Sequence, residues 1–212
     1  EPTDGLSTAD RFLYDARLRV APAVENPSVV IVDIDEASLA KVGRWPWSRR
    51  DMAKLTTNIV DTGGAAVLGF DVVFAEPDKS DPEGDQLFAD TIADKPVVLG
   101  YYFTSDRGGL TSGELPPPAF EANHLPLDTP RLVWNGFGAN LPAIQQSTGD
   151  AGFFNPRLDP DGVTRSLPLL AEYDGQMYES LAVRLLRKYL ENSVLAVGHD
   201  DVRIVGDAGG VS

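Results

Sequence analysis

From Ser7 to Val20 the residues Phe12, Leu13, Ala16 and Val20 recur at helical spacing, with Arg11, Asp15, Arg17 and Arg19 between them. The pattern predicts an amphipathic helix that opens at Ser7, with Asp10 three residues on as in a capping box. Pro22 and Pro27 then bracket an extended connector. From Val29 the pattern changes to an unbroken β-branched run through Ile34, and the same happens from Ala66 to Val73. Runs without alternation suit strands covered on both faces, as in a parallel sheet with helices packed on it.

Between those two runs, Glu36 to Val42 predicts a short helix ended by Gly43. Ser48, with Asp51 three residues on, predicts an N-cap for a helix whose inner stripe is Met52, Leu55, Ile59 and Val60, closed by Gly63-Gly64. Together these elements predict a βαβ crossover, the right-handed unit of parallel sheets. Asp85 to Asp94 predicts a further helix burying Leu87, Phe88 and Ile92, and Pro96 to Gly100 a third parallel strand. From about 104 to 150 the pattern dissolves into Gly, Pro and short apolar patches, an irregular insertion that is functional or poorly ordered. Ala151 to Asn155 and Val163 to Tyr173, on either side of Asp159-Pro160-Asp161-Gly162, predict an antiparallel hairpin. Glu179 to Leu190 predicts a helix with Leu181, Leu185, Leu186 and Tyr189 inward, and Val202 to Val205 an edge strand before a Gly-rich tail expected to be disordered. The expected fold class is α/β: a mainly parallel central sheet flanked by helices, an antiparallel hairpin extension and the insertion near 104–150.

Composition narrows the function classes. The net charge of -14 over 212 residues argues against nucleic-acid binding and against adsorption to an anionic membrane surface, since both need clustered Lys and Arg. Absence of Cys removes disulfide frameworks and thiolate metal sites, and two His residues, His124 and His199, leave little for a His-rich metal centre. No run reaches the roughly 18 apolar residues of a membrane span.

The candidate chemistry gathers where the predicted strands end in acid. Asp33, Asp35 and Asp71 would lie near the carboxyl ends of neighbouring strands, the edge where open α/β sheets place ligands. Clustered carboxylates are candidate hard-oxygen ligands for Mg2+ or Ca2+. The competing expectation is that they cap the following helix and pair with Arg44, Arg49 or Arg165, so that no cofactor is held. Trp45, Trp47, Arg49 and Arg165 are the candidate ligand-binding side chains, against the plainer expectation that the two indoles fill the gap between helix and sheet. Asp159-Pro160-Asp161-Gly162 begins like a Ca2+ loop, but the later ligands are missing, so a turn is expected.

Three blocks carry a family resemblance: Asp33-Ile34-Asp35-Glu36-Ala37-Ser38-Leu39, Gly43-Arg44-Trp45-Pro46-Trp47-Ser48-Arg49 and Gly69-Phe70-Asp71-Val72-Val73-Phe74. In this order and spacing they resemble the CHASE2 family of extracytoplasmic sensor domains, and an Asp-x-Asp-Gly turn followed by Arg165 strengthens the match. Met52 stands where many members carry His or another polar residue. The resemblance implies a non-catalytic module of a bacterial receptor, outside the cytoplasm and tethered to the membrane. Its output would be an adenylate cyclase, a histidine kinase, a Ser/Thr kinase or a diguanylate cyclase, and its stimulus a small molecule or protein. It divides the chain into a juxtamembrane helix and connector (1–28) and the sensor domain (29–212). The amphipathic first helix either packs on its own domain or pairs with a second protomer, and a homodimer through it is the expectation. The rival is a metal-dependent phosphohydrolase: Asp33-x-Asp35 after an apolar strand also resembles the nucleophile motif of haloacid-dehalogenase-type enzymes, and Gly84-Asp85 with Asp90 imitates their last metal motif. Ala37 replaces the usual Thr or Val, Gly84-Asp85 follows a polar loop, and no Lys closes a strand to hold phosphate, so no enzymatic activity is expected.

Overall fold

The computed structural model describes residues 3–22, 26–105, 108–126, 128–191, 193–197 and 202–205. His199, the expected Gly-rich tail and part of the Pro22–Pro27 connector lie outside the described residues. The fold is mixed α/β, in two compact units, Glu1–Trp45 and Pro46–Ser212.

The first unit holds α1 (Thr3–Val20) and α2 (Glu36–Val42). Helix α1 begins four residues before the predicted cap, which places Ser7 inside it. Phe12 and Leu13 are 70% and 63% exposed, and Ala16 and Val20 of the same stripe are also exposed. Helix α2 keeps its predicted bounds because Asp35 caps it, accepting from the Ser38 N–H at 2.8 Å and the Ser38 hydroxyl at 2.7 Å. The expected strand over Val29–Ile34 is not found. Val29 to Val32 are exposed, and the run pairs with no strand among the described residues. Apolar β-branched composition favours extended backbone, but a parallel ladder is non-local, and the run itself carries no information on its partner.

The second unit opens with α3 (Arg49–Thr57), which continues as a π-helical turn over Asn58–Thr62. Ser48 caps α3 as predicted: its Oγ accepts from the Asp51 N–H at 3.1 Å and donates to the Asp51 carboxylate at 2.7 Å. Met52, Ala53 and Thr56 are buried, with Leu55 packed against the core. Strand β1 (Leu68–Gly69) follows, then α4 (Gly84–Ile92) and β2 (Val97–Thr104). Since β1 and β2 are parallel, the crossover that forms runs through α4. Phe88 and Ile92 of α4 are buried as expected, but Leu87 is exposed.

Among its described residues the irregular insertion carries only short elements. It contributes β3 (Thr111–Ser112), β4 (Phe120–Glu121), β5 (Val133–Trp134), β6 (Gly136–Gly138) and α5 (Pro142–Thr148). Strands of two or three residues are too short to show a period, so side chains set the path instead. Buried Asn140 accepts from the Phe74 N–H at 2.8 Å and donates to the Gly100 carbonyl at 3.1 Å, tying the insertion to the sheet.

Strand β7 (Ala151–Phe153) runs parallel to β2, which corrects its expected place in a hairpin with 163–173. The Asp159–Gly162 turn instead joins β8 (Arg157–Leu158) to β9 (Thr164–Ser166). A second hairpin joins β10 (Leu170–Tyr173) to β11 (Gln176–Glu179). Asp174 and Gly175 both have positive φ there, the requirement of a type I′ turn. The first sheet runs β1-β2-β6-β3 with β7 also on β2, and the second runs β4-β11-β10-β5. Helix α6 (Leu181–Tyr189) and a separate hairpin of β12 (Val194–Val197) and β13 (Val202–Val205) complete the described chain. The core is aromatic: Phe70, Phe74 and Phe88 meet edge to face, and Phe103 packs against Tyr101, Phe153 and Tyr178.

Candidate functional site

The sequence directs attention to the acids at the predicted strand ends, and the structure places them unequally. Asp33 and Asp35 belong to the first unit and Asp71 to the second, and all three are exposed. Asp35 is committed to capping α2, and the hydrogen bonds from Ser38 hold its carboxyl below the usual carboxylate range. Among the described residues no group of three or more His, Asp or Glu side chains is placed to hold a metal ion. Trp45 lies exposed in the first unit, and Trp47 packs against the core of the second.

Arg49 is buried at the start of α3 and organises the acidic loop that follows β1. Its Nε donates to Asp85 Oδ1 at 2.9 Å and its Nη2 to the Glu76 carbonyl at 2.7 Å. Its backbone N–H donates to Asp78 Oδ2 at 3.0 Å, and its guanidinium stands 4.8 Å over the Phe74 ring. The other Asp85 oxygen accepts from the Asp78 N–H at 3.0 Å, so one carboxylate joins arginine and loop. Asp78 Oδ1 closes the turn by accepting from the Ser80 hydroxyl at 2.6 Å and from the N–H groups of Ser80 and Asp81. Arg50, on the solvent side, pairs with Asp81 and lies 3.8 Å from Glu83. Residues 76–85 are therefore fastened to the α3 N-terminus at several points. An exposed Pro-containing acidic loop with this net charge needs such fastening, because its carboxylates repel one another.

Arg165, by contrast, is local. It donates to Asp159 Oδ2 at 2.8 Å and to Asp161 at 2.9 Å, spanning the turn between β8 and β9. The Gly162 N–H closes that turn on the Asp159 carbonyl at 2.8 Å, with Gly162 at φ 77°. Two of the three arginines expected to hold the Asp33, Asp35 and Asp71 carboxylates thus engage other acids, Arg49 those of the loop after β1 and the start of α4, and Arg165 those of its own turn.

A third cluster has no counterpart in the sequence reading. Asp150 and Glu179 are buried, and α6 covers them with cations. Arg187 Nη1 donates to both Glu179 oxygens at 2.7 Å, and Arg184 approaches Glu179 at 3.4 Å while pairing with Asp150. Lys188 donates to Asp150 Oδ2 at 2.6 Å. Burial raises the Asp150 pKa, but hydrogen bonds from Lys188 and Arg184 outweigh it and leave the carboxyl below its usual value. The sequence does carry one signal: Arg184, Arg187 and Lys188 share a helix face on which α6 offers no acid, so their partners had to come from elsewhere.

These shifts set a pH dependence. Asp78 is held at about 2, chiefly by the Ser80 hydroxyl and the Arg49 N–H, below its ordinary value near 3.8. A depressed carboxylate contributes stability that is complete above its unfolded pKa and is lost as pH falls through the folded one. The same sign holds for Asp150. Thermal midpoints should therefore stay level from pH 7 to about 4 and fall between about 4 and 2. Asp78→Asn should flatten part of that fall, and a variant with the parent's acid profile would show that Asp78 is not its source.

A family model described as CHASE2 domain matches residues 2–210, essentially the whole chain. No curated protein and no solved structure matches it.

Proposed function

The chain belongs to the CHASE2 family of extracytoplasmic sensory domains of membrane signalling receptors, and from that premise we propose that it relays a stimulus through α1 to a dimeric receptor. The observation that carries this reading is the exposed stripe of Phe12, Leu13, Ala16 and Val20 on α1. A helix whose apolar face has no cover in its own unit suits a lever that pairs with a second copy. The receptor's output is one of adenylate cyclase, histidine kinase, Ser/Thr kinase or diguanylate cyclase, and the stimulus is a small molecule or protein. Among the described residues no helix is long and apolar enough to cross a membrane. An input shifts such a balance only by its differential affinity for the two arrangements. Cysteines placed singly along α1 in the membrane receptor should crosslink with a yield that peaks at Phe12 and Ala16 and repeats at helical period. Uniformly absent crosslinks would remove the dimer.

The phosphohydrolase reading fares less well. Covalent phosphoryl transfer needs nucleophile, acid, cation ligands and phosphate clamp in one site. Asp85, the counterpart of the last metal ligand in that scheme, is engaged by Arg49 and the Asp78 N–H, and Asp35 by Ser38. We expect no turnover of p-nitrophenyl phosphate with Mg2+, and a turnover abolished by Asp33→Asn would reverse that reading.

A further inference from the structure

Helix α6 is amphipathic in the reverse of the usual sense. Leu181 and Leu185 are half-buried and Val183 is buried, but the remainder of the covered arc is Arg184, Arg187 and Lys188, neutralised by Asp150 and Glu179. The exposed arc is apolar throughout: Ala182 with Leu186, Tyr189 and Leu190 at 47%, 60% and 44%. The helical spacing of the apolar residues predicts Leu186 and Tyr189 inward, since such a stripe ordinarily faces the core. The buried acids reverse that default, since Asp150 and Glu179 must be paired and α6 supplies the cations. Arg187 donates to the Ser193 carbonyl at 3.0 Å, which brings the start of β12 beside α6. There Val194 and its cross-strand neighbour Val205 are exposed as well.

We propose that the Ala182–Leu186–Tyr189–Leu190 stripe is a homotypic interface that meets the same stripe of a second copy about a two-fold axis. Three features select a second copy. The stripe carries no charge, and the cations beside it are already paired, so it offers a charged partner nothing to read. Two copies of net charge -14 repel over most of their surface, and a neutral stripe is where they approach at least cost. The stripe is only a few side chains across, so a symmetric contact there has the size of a weak or transient interface. A contact of that size holds where a membrane keeps both copies at high local concentration, and for its strength the inference rests on the receptor reading.

The chain has no cysteine, so single-cysteine variants report cleanly. In the membrane receptor, Leu186→Cys and Tyr189→Cys should form disulfide dimers at least about tenfold more readily than Lys79→Cys, whose side chain is exposed on the acidic loop. In the membrane receptor, Leu186→Glu should lower the yield of the Tyr189→Cys disulfide dimer about tenfold, while leaving the melting temperature of the isolated chain unchanged. Crosslinking at Leu186 and Tyr189 no greater than at Lys79 overturns the proposal, as does a Tyr189→Cys dimer yield unaltered by Leu186→Glu. Crosslinks along α1 without crosslinks along α6 would overturn this interface and leave the relay through α1 standing. Crosslinks along α6 alone would do the reverse.

Discussion

Arg49→Ala is expected to cost about 3 kcal/mol, because it removes a buried guanidinium and leaves its part-buried acceptors without their donor. Asp85 loses its guanidinium partner, the Glu76 carbonyl loses a donor, and Phe74 loses the cation over its ring. For a chain of this length that corresponds to a fall of roughly 6–12 °C in the thermal midpoint. Arg49→Met separates the contributions: it keeps the apolar stem against the core but none of the donors, so it should recover only the packing part. A midpoint for Arg49→Ala within about 1 °C of the parent would show that the acidic loop is held by something other than this arginine.

Arg187→Ala is expected to be of similar size. Glu179 has a side chain only 6% exposed and takes two bonds at 2.7 Å from Arg187, leaving Arg184 at 3.4 Å as its remaining cation. A buried carboxylate with one distant partner costs about 3 kcal/mol, to which the lost bond to the Ser193 carbonyl adds. Lys188→Ala provides the contrast, since Asp150 keeps Arg184 and Lys188 is one-third exposed. Its loss should come to about 1 kcal/mol or less. Chemical denaturation of both variants checks the ordering, and equal losses would mean that burial of Glu179 does not set the cost.

What could be read from the sequence was local. Ser48 with Asp51 and Asp35 with Ser38 cap their helices through contacts three residues apart, and those spacings are visible in the chain. Strand β2 was found because its apolar run is long and buried over nearly its whole length. The Asp174-Gly175 turn is equally local in the chain, but the expected hairpin of 151–155 with 163–173 does not use it. The misses were non-local. Val29–Val32 has the composition of a strand without a partner, and Asn140 orders the insertion through bonds to Phe74 and Gly100, dozens of residues away in the chain. The inverted face of α6 follows from Asp150 and Glu179, whose burial no pattern within the helix reveals. At the candidate site the residue types were legible but the pairing was not: Arg49 and Arg165 do hold acids, yet Arg49 holds Asp85, 36 residues along the chain, and Arg165 holds those of its own turn.

The relay through α1 is tested most directly by constraining that helix alone. In the membrane receptor carrying Ala16→Cys, oxidation should lock α1 to its counterpart in a second copy and change the output activity, in either direction, by about threefold or more. Reduction with dithiothreitol should restore it. Complete crosslinking with unchanged output would contradict the account.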